Sequence, residues 1–369
     1  MERRFIITGG GTSGHINPAL AIARLLTDHC NAAGDTCRIM FTGRKAGLEG
    51  ELVPAAGYDF RDVPAQPVPL RPSIKIFPAL FAICKGILKC RKLIAGFCPD
   101  AVISTGGYVS APLLYAARHT GVPIIIHESN AFPGRANKQL SKGASLVMTG
   151  FPDQEASFPK ARCVVYTGNP VRPIMFGNTY ESSRAKLNIP DDCKLVFAMG
   201  GSLGSATITN FILSCAKDPD FKGVRFVLSV GKHNAVDMTG EDLSDYDISI
   251  MNYIDEPNIY MSGSDVCILR AGAVTCAEIA QIGACAVMIP YPYAAHDHQT
   301  YNARILSGKG GGVVMSDDDV KAGKLKPVLL ELLADKARRL DIRRCAGRLA
   351  VPDTGDRIIS AIEDVLEQK

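Results

Sequence analysis

The sequence predicts an α/β protein made of two doubly wound, parallel-sheet, Rossmann-like domains facing a cleft. Three observations carry this. A strand at the start, Arg4-Phe-Ile-Ile-Thr8, runs straight into a glycine-rich loop, Gly9-Gly-Gly-Thr-Ser-Gly-His15. The same order returns in the second half, where Lys194-Leu-Val-Phe-Ala-Met199 runs into Gly200-Gly-Ser-Leu-Gly-Ser205. Strand, glycine loop and helix together make an anion site, because glycines let the backbone approach closely and a helix N-terminus offers N–H groups and partial positive charge. Finally, 369 residues are too many for one ordinary core and suit two domains.

Apolar runs of strand length, each ending in a loop, are expected as strands at residues 5–8, 38–42, 101–105, 123–127 and 145–149. They recur at 195–199, 224–230, 265–269 and 284–290. Helical stretches lie between them, such as 18–28 and 110–119. Runs buried on both faces and joined through helices mean parallel sheets. The first helix is expected to start with Asn17 as its cap and Pro18 at its first position. Gly168-Asn-Pro-Val-Arg-Pro173 carries two prolines and marks a boundary, giving domains at 1–168 and 169–350. The last periodic stretch, residues 356–366, reads as a helix within a closing segment, 351–369.

The composition is globular, 47% hydrophobic and 21% charged, and a net charge of +4 is too small to indicate nucleic acid. The twelve cysteines form no CxxC pair, which predicts free thiols in a reduced compartment rather than a zinc site or disulfide framework. No signal peptide is read at the start, and no stretch reaches the roughly 20 apolar residues of a transmembrane helix. A cytoplasmic, soluble or peripheral protein is expected. Residues 68–97 stand apart: 76–84 are apolar on every side, between Arg71 and Lys75 before and Lys85, Lys89, Arg91 and Lys92 after. A helix of this kind is either buried or meets lipid. Its basic flanks favour an interfacial anchor, residues 71–92, on an anionic membrane. The competing reading is a core helix with an exposed basic end.

Several motifs fall at strand ends. The first loop fits GxGxxG, yet the second strand ends in Phe41-Thr-Gly-Arg-Lys45, with no carboxylate for an NAD ribose; Arg44 and Lys45 keep an NADP site in view. No Gly-Lys-Ser/Thr follows, which excludes a P-loop. His15 closes this loop, where an imidazole either takes a proton from a sugar hydroxyl or merely packs at the helix start. Thr105-Gly-Gly-Tyr-Val-Ser110 is a third glycine junction, a phosphate cradle or a plain turn. His127-Glu-Ser-Asn130 sets four polar residues after a buried strand, at a site mouth or on a surface loop. In Arg270-Ala-Gly-Ala-Val-Thr-Cys-Ala-Glu278, a carboxylate one turn into a helix either accepts ribose hydroxyls or forms a capping box with Thr275. Asp297-His-Gln-Thr-Tyr-Asn302 is a further polar loop entering a helix.

Together these segments resemble the bacterial UDP-N-acetylglucosamine:undecaprenyl-diphospho-muramoylpentapeptide N-acetylglucosaminyltransferases, GT-B enzymes of glycosyltransferase family 28. The matching segments are GGGTSGH, TGGYVSAP, HESN with the following Gly134-Arg-Ala-Asn137, GNPVR, GGSLGS, AGAVTCAE and HQTYNA, in the family's order and across nearly the whole chain. The resemblance implies an N-terminal domain for the lipid-linked acceptor, a C-terminal domain for the sugar nucleotide, and a final helix that crosses back to the first domain. It implies that Thr12, Ser13 and Gly14 line the sugar side and that Asn130 reaches the donor sugar. Arg172 and Ser202 would face the diphosphate, and the Ile254 backbone would meet uracil. Ala273, Val274, Thr275, Cys276, Ala277 and Glu278 would wrap the diphosphate and ribose, with Glu278 on the ribose hydroxyls. Gln299 would hold the sugar hydroxyls. Ser13, Ser129 and Ala271 depart from the family's usual Gly, Gln and Ser.

The activity implied is inverting transfer of N-acetylglucosamine from UDP-GlcNAc to the C4 hydroxyl of muramic acid in lipid I, giving lipid II and UDP at the cytoplasmic face of the plasma membrane. His15 is the favoured base, with Glu128 or a water helping. Helix amides, Ser202 and Arg172 would stabilise departing UDP. No cofactor is required by this reading; a divalent cation such as Mg²⁺ is compatible with it, although no protein site for one is recognisable. Asp317-Asp-Asp319 fits Asp-x-Asp literally but reads as a solvated helix cap. The rivals are another GT-B UDP-sugar transferase acting on a glycolipid, a UDP-sugar epimerase, an NADP-dependent oxidoreductase, and a catalytically silent nucleotide-binding partner of a membrane complex.

Overall fold

The apolar runs pair into two parallel sheets, one in each of two units. The computed structural model describes residues 2–368 apart from 70, 72–73, 75, 202–203, 232–242 and 244. One unit comprises residues up to Pro170 together with those from Pro352 onward; the other is Val171–Val351.

In the first unit the strands are β1 (Glu2–Gly9), β2 (Thr36–Gly43), β3 (Asp59–Asp62), β4 (Ala101–Gly106), β5 (Ile124–Glu128), β6 (Leu146–Thr149) and β7 (Val164–Tyr166). Their order is β3-β2-β1-β4-β5-β6-β7. The chain steps outward from β1 through β2 to β3, then returns to the other side of β1 as β4. That reversal opens a crevice beyond the carboxyl ends of β1 and β4, where such sheets bind ligands. The helices are α1 (Ser13–Ala32), α2 (Glu49–Ala55), α3 (Ile76–Phe97), α4 (Ala111–Ala117) and α5 (Arg135–Leu140). Alternation along β1 feeds both faces: Phe5 and Ile7 meet Ile16, Ile22 and Leu26 of α1, while Ile6 meets Cys90 and Ile94 of α3 and Leu113 of α4.

The second unit has β8 (Lys194–Met199), β9 (Val224–Ser229), β10 (Ile248–Met251), β11 (Val266–Arg270), β12 (Ala286–Ile289) and β13 (Val313–Val314), in the order β10-β9-β8-β11-β12-β13. The same reversal falls between β8 and β11. Its helices are α6 (Tyr180–Lys186), α7 (Ala206–Ala216), α8 (Pro257–Gly263), α9 (Ala273–Ile282), α10 (His298–Ser307), α11 (Asp317–Lys321), α12 (Leu325–Ala334) and α13 (Lys336–Gly347). Ile208 and Ile212 of α7 and Leu325 and Leu329 of α12 join Val196, Leu228, Ile268 and Val287 in one core. A last helix, α14 (Thr354–Glu367), belongs to the first unit, where Ile358 and Ile362 pack among Ile22, Leu26 and Met148.

Two expectations change. α1 begins four residues before Asn17: Thr12 is the extended cap residue, and its carbonyl accepts the His15 and Ile16 amides at 3.1 and 3.2 Å. Pro18 therefore lies inside the helix. The competing core reading of residues 76–84 also fails at their outer face. Phe77 and Phe81 are 75% and 73% exposed, and Leu80 and Leu88 are exposed as well. α3 buries Ala79, Gly86, Cys90 and Ile94 against the unit, with Ile87, Leu93 and Phe97 packed partly buried beside them. Lys85, Lys89, Arg91 and Lys92 are exposed, and Lys75 lies outside the described residues. No helix among the described residues is long and apolar enough to cross a membrane.

Candidate functional site

In the first unit the loops after β1 and β4 interlock. The Gly10 amide donates to the Gly106 carbonyl at 3.3 Å, and a Cβ on Gly107 would stand 2.2 Å from the Gly10 carbonyl oxygen. Gly107 also holds φ at 87°, so only glycine fits there. His15 stands half-buried on α1, and its Nδ1 lies 3.2 Å from Thr12 Oγ1. Its ring packs over Gly106, where a Cβ would approach Cδ2 to 3.0 Å. Thr105 Oγ1 donates to the His15 carbonyl at 2.6 Å, tying β4 to the start of α1. Thr12 and Gly14 are exposed and Ser13 is half-buried beside them. Arg44, the candidate for a 2′-phosphate, instead donates from Nη1 to Tyr108 Oη at 2.9 Å.

Glu128 is buried at the end of β5. Its Oε1 accepts the Asn130 amide at 2.9 Å and Asn130 Nδ2 at 3.2 Å. Its Oε2 accepts the Gly134 amide and Asn137 Nδ2, both at 2.9 Å. This carboxylate shapes residues 129–134, and its two oxygens are already committed to these four donors. Gln154 Nε2 adds a bond to the Asn130 carbonyl at 2.9 Å. His127 is wholly buried between the Gly168 carbonyl, 3.2 Å from Nε2, and Ser129 Oγ, 3.2 Å from Nδ1. Burial lowers its pKa, so the ring is held neutral.

In the second unit α9 starts from Gly272, and its first internal bond runs from the Cys276 amide to the Gly272 carbonyl. The amides of Ala273, Val274 and Thr275 precede that bond, an anion-binding terminus. Thr275 is the third helical residue and Glu278 the sixth, so the capping-box reading is excluded. Glu278 is 4% exposed, and its Oε1 accepts Arg172 Nε at 3.2 Å and Nη2 at 3.1 Å. Burial raises the Glu278 pKa and Arg172 opposes that shift. Cys276 is buried, and burial pushes its thiol up to about 12; Val274 and Ala277 are half-buried. Ile254 is buried after β10. Gln299, on the first turn of α10, accepts the Tyr291 amide at Oε1 at 2.8 Å, tying that helix to the loop after β12. Ser202 lies outside the described residues.

The acidic run also needs correction. Asp318 and Asp319 are partly or fully exposed, and Asp319 does cap α11 with Ser316. Asp317 is instead buried in an ion pair with Arg270, and its Oδ2 accepts Thr207 Oγ1 at 2.7 Å. Arg270 also donates to Ser205 Oγ at 2.6 Å, so this pair fastens the ends of β11 and β12 to the start of α7. Sequence reasoning missed this brace because an ion pair between residues far apart in sequence leaves no local pattern. Among the described residues no group of three or more His, Cys, Asp or Glu side chains is gathered as for a metal.

The model of the glycosyltransferase family 28 N-terminal domain matches residues 5–149, and that of the C-terminal domain residues 195–358. The chain is 33% identical over 369 residues to the UDP-N-acetylglucosamine--N-acetylmuramyl-(pentapeptide) pyrophosphoryl-undecaprenol N-acetylglucosamine transferase of Acetivibrio thermocellus, covering 99% of each. It is 35% identical over 372 residues to the protein of the same name from Moorella thermoacetica, again covering 99% of each. The crystal structure of MurG from Acinetobacter baumannii superposes with a TM-score of 0.75 at 24% identity, covering 98% of this chain and 99% of that one.

Proposed function

The chain belongs to glycosyltransferase family 28 and has its GT-B fold, and we propose that it transfers N-acetylglucosamine from UDP-GlcNAc to the C4 hydroxyl of muramic acid in undecaprenyl-diphospho-MurNAc-pentapeptide. The products are lipid II, for peptidoglycan synthesis, and UDP. The observation that carries this reading is the end-to-end likeness to relatives that bear this activity in their names.

The acceptor oxygen attacks the anomeric carbon opposite the nucleotide; the C1–oxygen bond to the diphosphate breaks, and configuration inverts. His15 takes the hydroxyl proton. Its imidazole is oriented by Thr12 and lies beside the exposed glycine loop, whereas both oxygens of Glu128 already serve backbone and amide donors. Glu128 is therefore assigned to holding Asn130 in place rather than to proton transfer. Negative charge growing on UDP is met by the Ala273, Val274 and Thr275 amides and by Arg172. We assign the ribose to Glu278, the uracil to the Ile254 backbone and the sugar hydroxyls to Gln299. This arrangement requires no obligatory divalent cation, so turnover is expected to survive EDTA.

The acceptor's tail stays in a bilayer while its sugar is processed. The exposed Phe77, Leu80 and Phe81, with Lys85 and Lys89 beyond them, suit docking of α3 on the anionic cytoplasmic surface of the membrane. The reading as a whole is tested with purified protein, UDP-GlcNAc and a short-chain lipid I analogue. Stoichiometric UDP and a β-linked disaccharide are expected, and UDP-glucose should not substitute. Absence of product would reject it.

A further inference from the structure

The first unit contains a buried carboxylate that no step above uses. Glu49, the first residue of α2, is 1% exposed. Its Oε2 accepts the Gly11 amide and its Oε1 the Arg44 amide, each at 3.1 Å. Three glycines close around it: a Cβ on Gly10, Gly43 or Gly47 would stand 2.6 Å from its side-chain carbons. The loop after β1, the end of β2 and the turn into α2 are all cut away to admit this one group. The connection continues through Arg44, whose guanidinium reaches Tyr108 in the loop after β4. The Tyr108 ring in turn faces Gly11, where a Cβ would lie 3.3 Å from its edge. Glu49, Arg44 and Tyr108 thus form a closed strap around the glycine loop. An acid at the start of a short helix does its electrostatic work from the surface. Burying it under a glycine loop costs desolvation that capping does not require.

We propose that Glu49 is a positioning residue for glycosyl transfer: with Arg44 and Tyr108 it fixes the loop that leads through Thr12 to His15. The inference rests on the transferase reading and deepens it. Glu49→Gln keeps the volume but presents an NH₂ group where one backbone amide now donates, so one end of the strap is lost. Steady-state rates with a soluble lipid I analogue should show kcat down about 10–100-fold, the scale of a small misplacement of catalytic groups. The acceptor KM should rise, while the Kd for UDP measured by calorimetry stays put. Tyr108→Phe should move the same parameters less, and the double variant should be no worse than Glu49→Gln alone, because members of one strap are not additive.

The idea is overturned if kcat and acceptor KM stay within about twofold of the parent, a change too small to indicate lost transition-state stabilisation. It is equally overturned if UDP affinity falls in step with kcat, or if the two substitutions multiply independently. Should Glu49→Gln fail to fold, Arg44→Met and Tyr108→Phe decide alone, and unchanged kcat in both rejects the strap. A parent enzyme that makes no product from UDP-GlcNAc would instead reject the transferase reading, which keeps the two failures distinct.

Discussion

The two switch points share a topology and differ in what stabilises them. Between β1 and β4 the loops are fitted backbone to backbone, and Glu49 and Arg44 reach across the small space that glycines leave. Between β8 and β11 a buried Arg270–Asp317 pair braces the strand ends from beneath, while α9 turns its amides outward and Glu278 is held by Arg172. The first arrangement fixes the position of one imidazole. The second presents positive potential with a single carboxylate set in it. A doubly wound sheet dictates where a ligand goes; the loops decide whether that place does proton chemistry or holds an anion.

The contrast is broken most severely at His15. His15→Ala should lower kcat about 10²–10⁴-fold, the range for a lost general base, with UDP affinity unchanged by calorimetry. A near-normal kcat with a lowered melting temperature would make His15 a packing residue and move the proton transfer elsewhere. On the other side, Glu278→Ala should weaken UDP by about 1.5–3 kcal/mol, the worth of hydrogen bonds to a charged group, and leave the acceptor KM alone. If UDP and 2′-deoxy-UDP lose equally, the ribose does not sit on that carboxylate.

A third test asks whether the first unit alone meets the membrane. Changing Phe77, Leu80 and Phe81 together to Ser should cut partitioning onto anionic vesicles at least about tenfold, since each apolar side chain withdrawn from lipid forfeits a fraction of its roughly 1.5–3 kcal/mol of burial. The melting temperature should hold because these side chains are exposed. Turnover should fall for the full-length lipid acceptor and not for a soluble one. Equal loss on both acceptors would reject membrane docking.

The smallest effect is one of acidity, and here the two units should part. His127 is held neutral with a lowered pKa, so the unfolded chain binds the extra proton first, and the stability it gives above about pH 6.5 is lost as pH falls below that. Glu278 has a raised pKa, so the folded state binds the proton first, and this group adds stability as pH falls through its raised value toward the ordinary carboxylate range. UDP affinity should nevertheless drop over that second window, because the protonated acid no longer accepts two ribose hydroxyls. Hydrogen exchange followed from pH 7 to pH 5 should show earlier loosening around β5 than around α9. The reverse order would contradict the assignment of these two groups.

How far the sequence reaches is clearest at the sheet edges. Every interior strand is legible as an apolar run, with its ends placed within three residues. The four that the run pattern misses, β3, β7, β10 and β13, are the four edges. An edge strand shields neither its outer side nor all of one face, so its side chains need not be apolar, as in Asp59-Phe-Arg-Asp62, and it can be very short, as β7 with three residues and β13 with two are. The start of α1 departs from its local signal for a related reason: Asn17 and Pro18 make a good local start, yet the Thr12 carbonyl accepts bonds five residues before Asn17, where glycine permits the turn. Motifs that sit in one loop, such as His127-Glu-Ser-Asn130, were visible. Pairings between loops, Glu49 with Gly11 or Arg270 with Asp317, depend on the fold having brought distant residues together.

The position of α14 in the chain sets when the first core can close. Its apolar face completes the core of the first unit, beside Ile22, Leu26 and Met148, yet in the chain it comes after the whole of residues 171–351. During synthesis at about 5–20 residues per second, those intervening residues take roughly 10–40 s to emerge. Throughout that interval the first unit has its sheet and α1 but lacks the helix that seals them, and an apolar furrow faces solvent. Nascent chains therefore pass through a stage in which the older half waits on the younger, and a holdase that binds apolar grooves has its window there. Emergence of α14, rather than completion of either sheet, is the event that closes the first core.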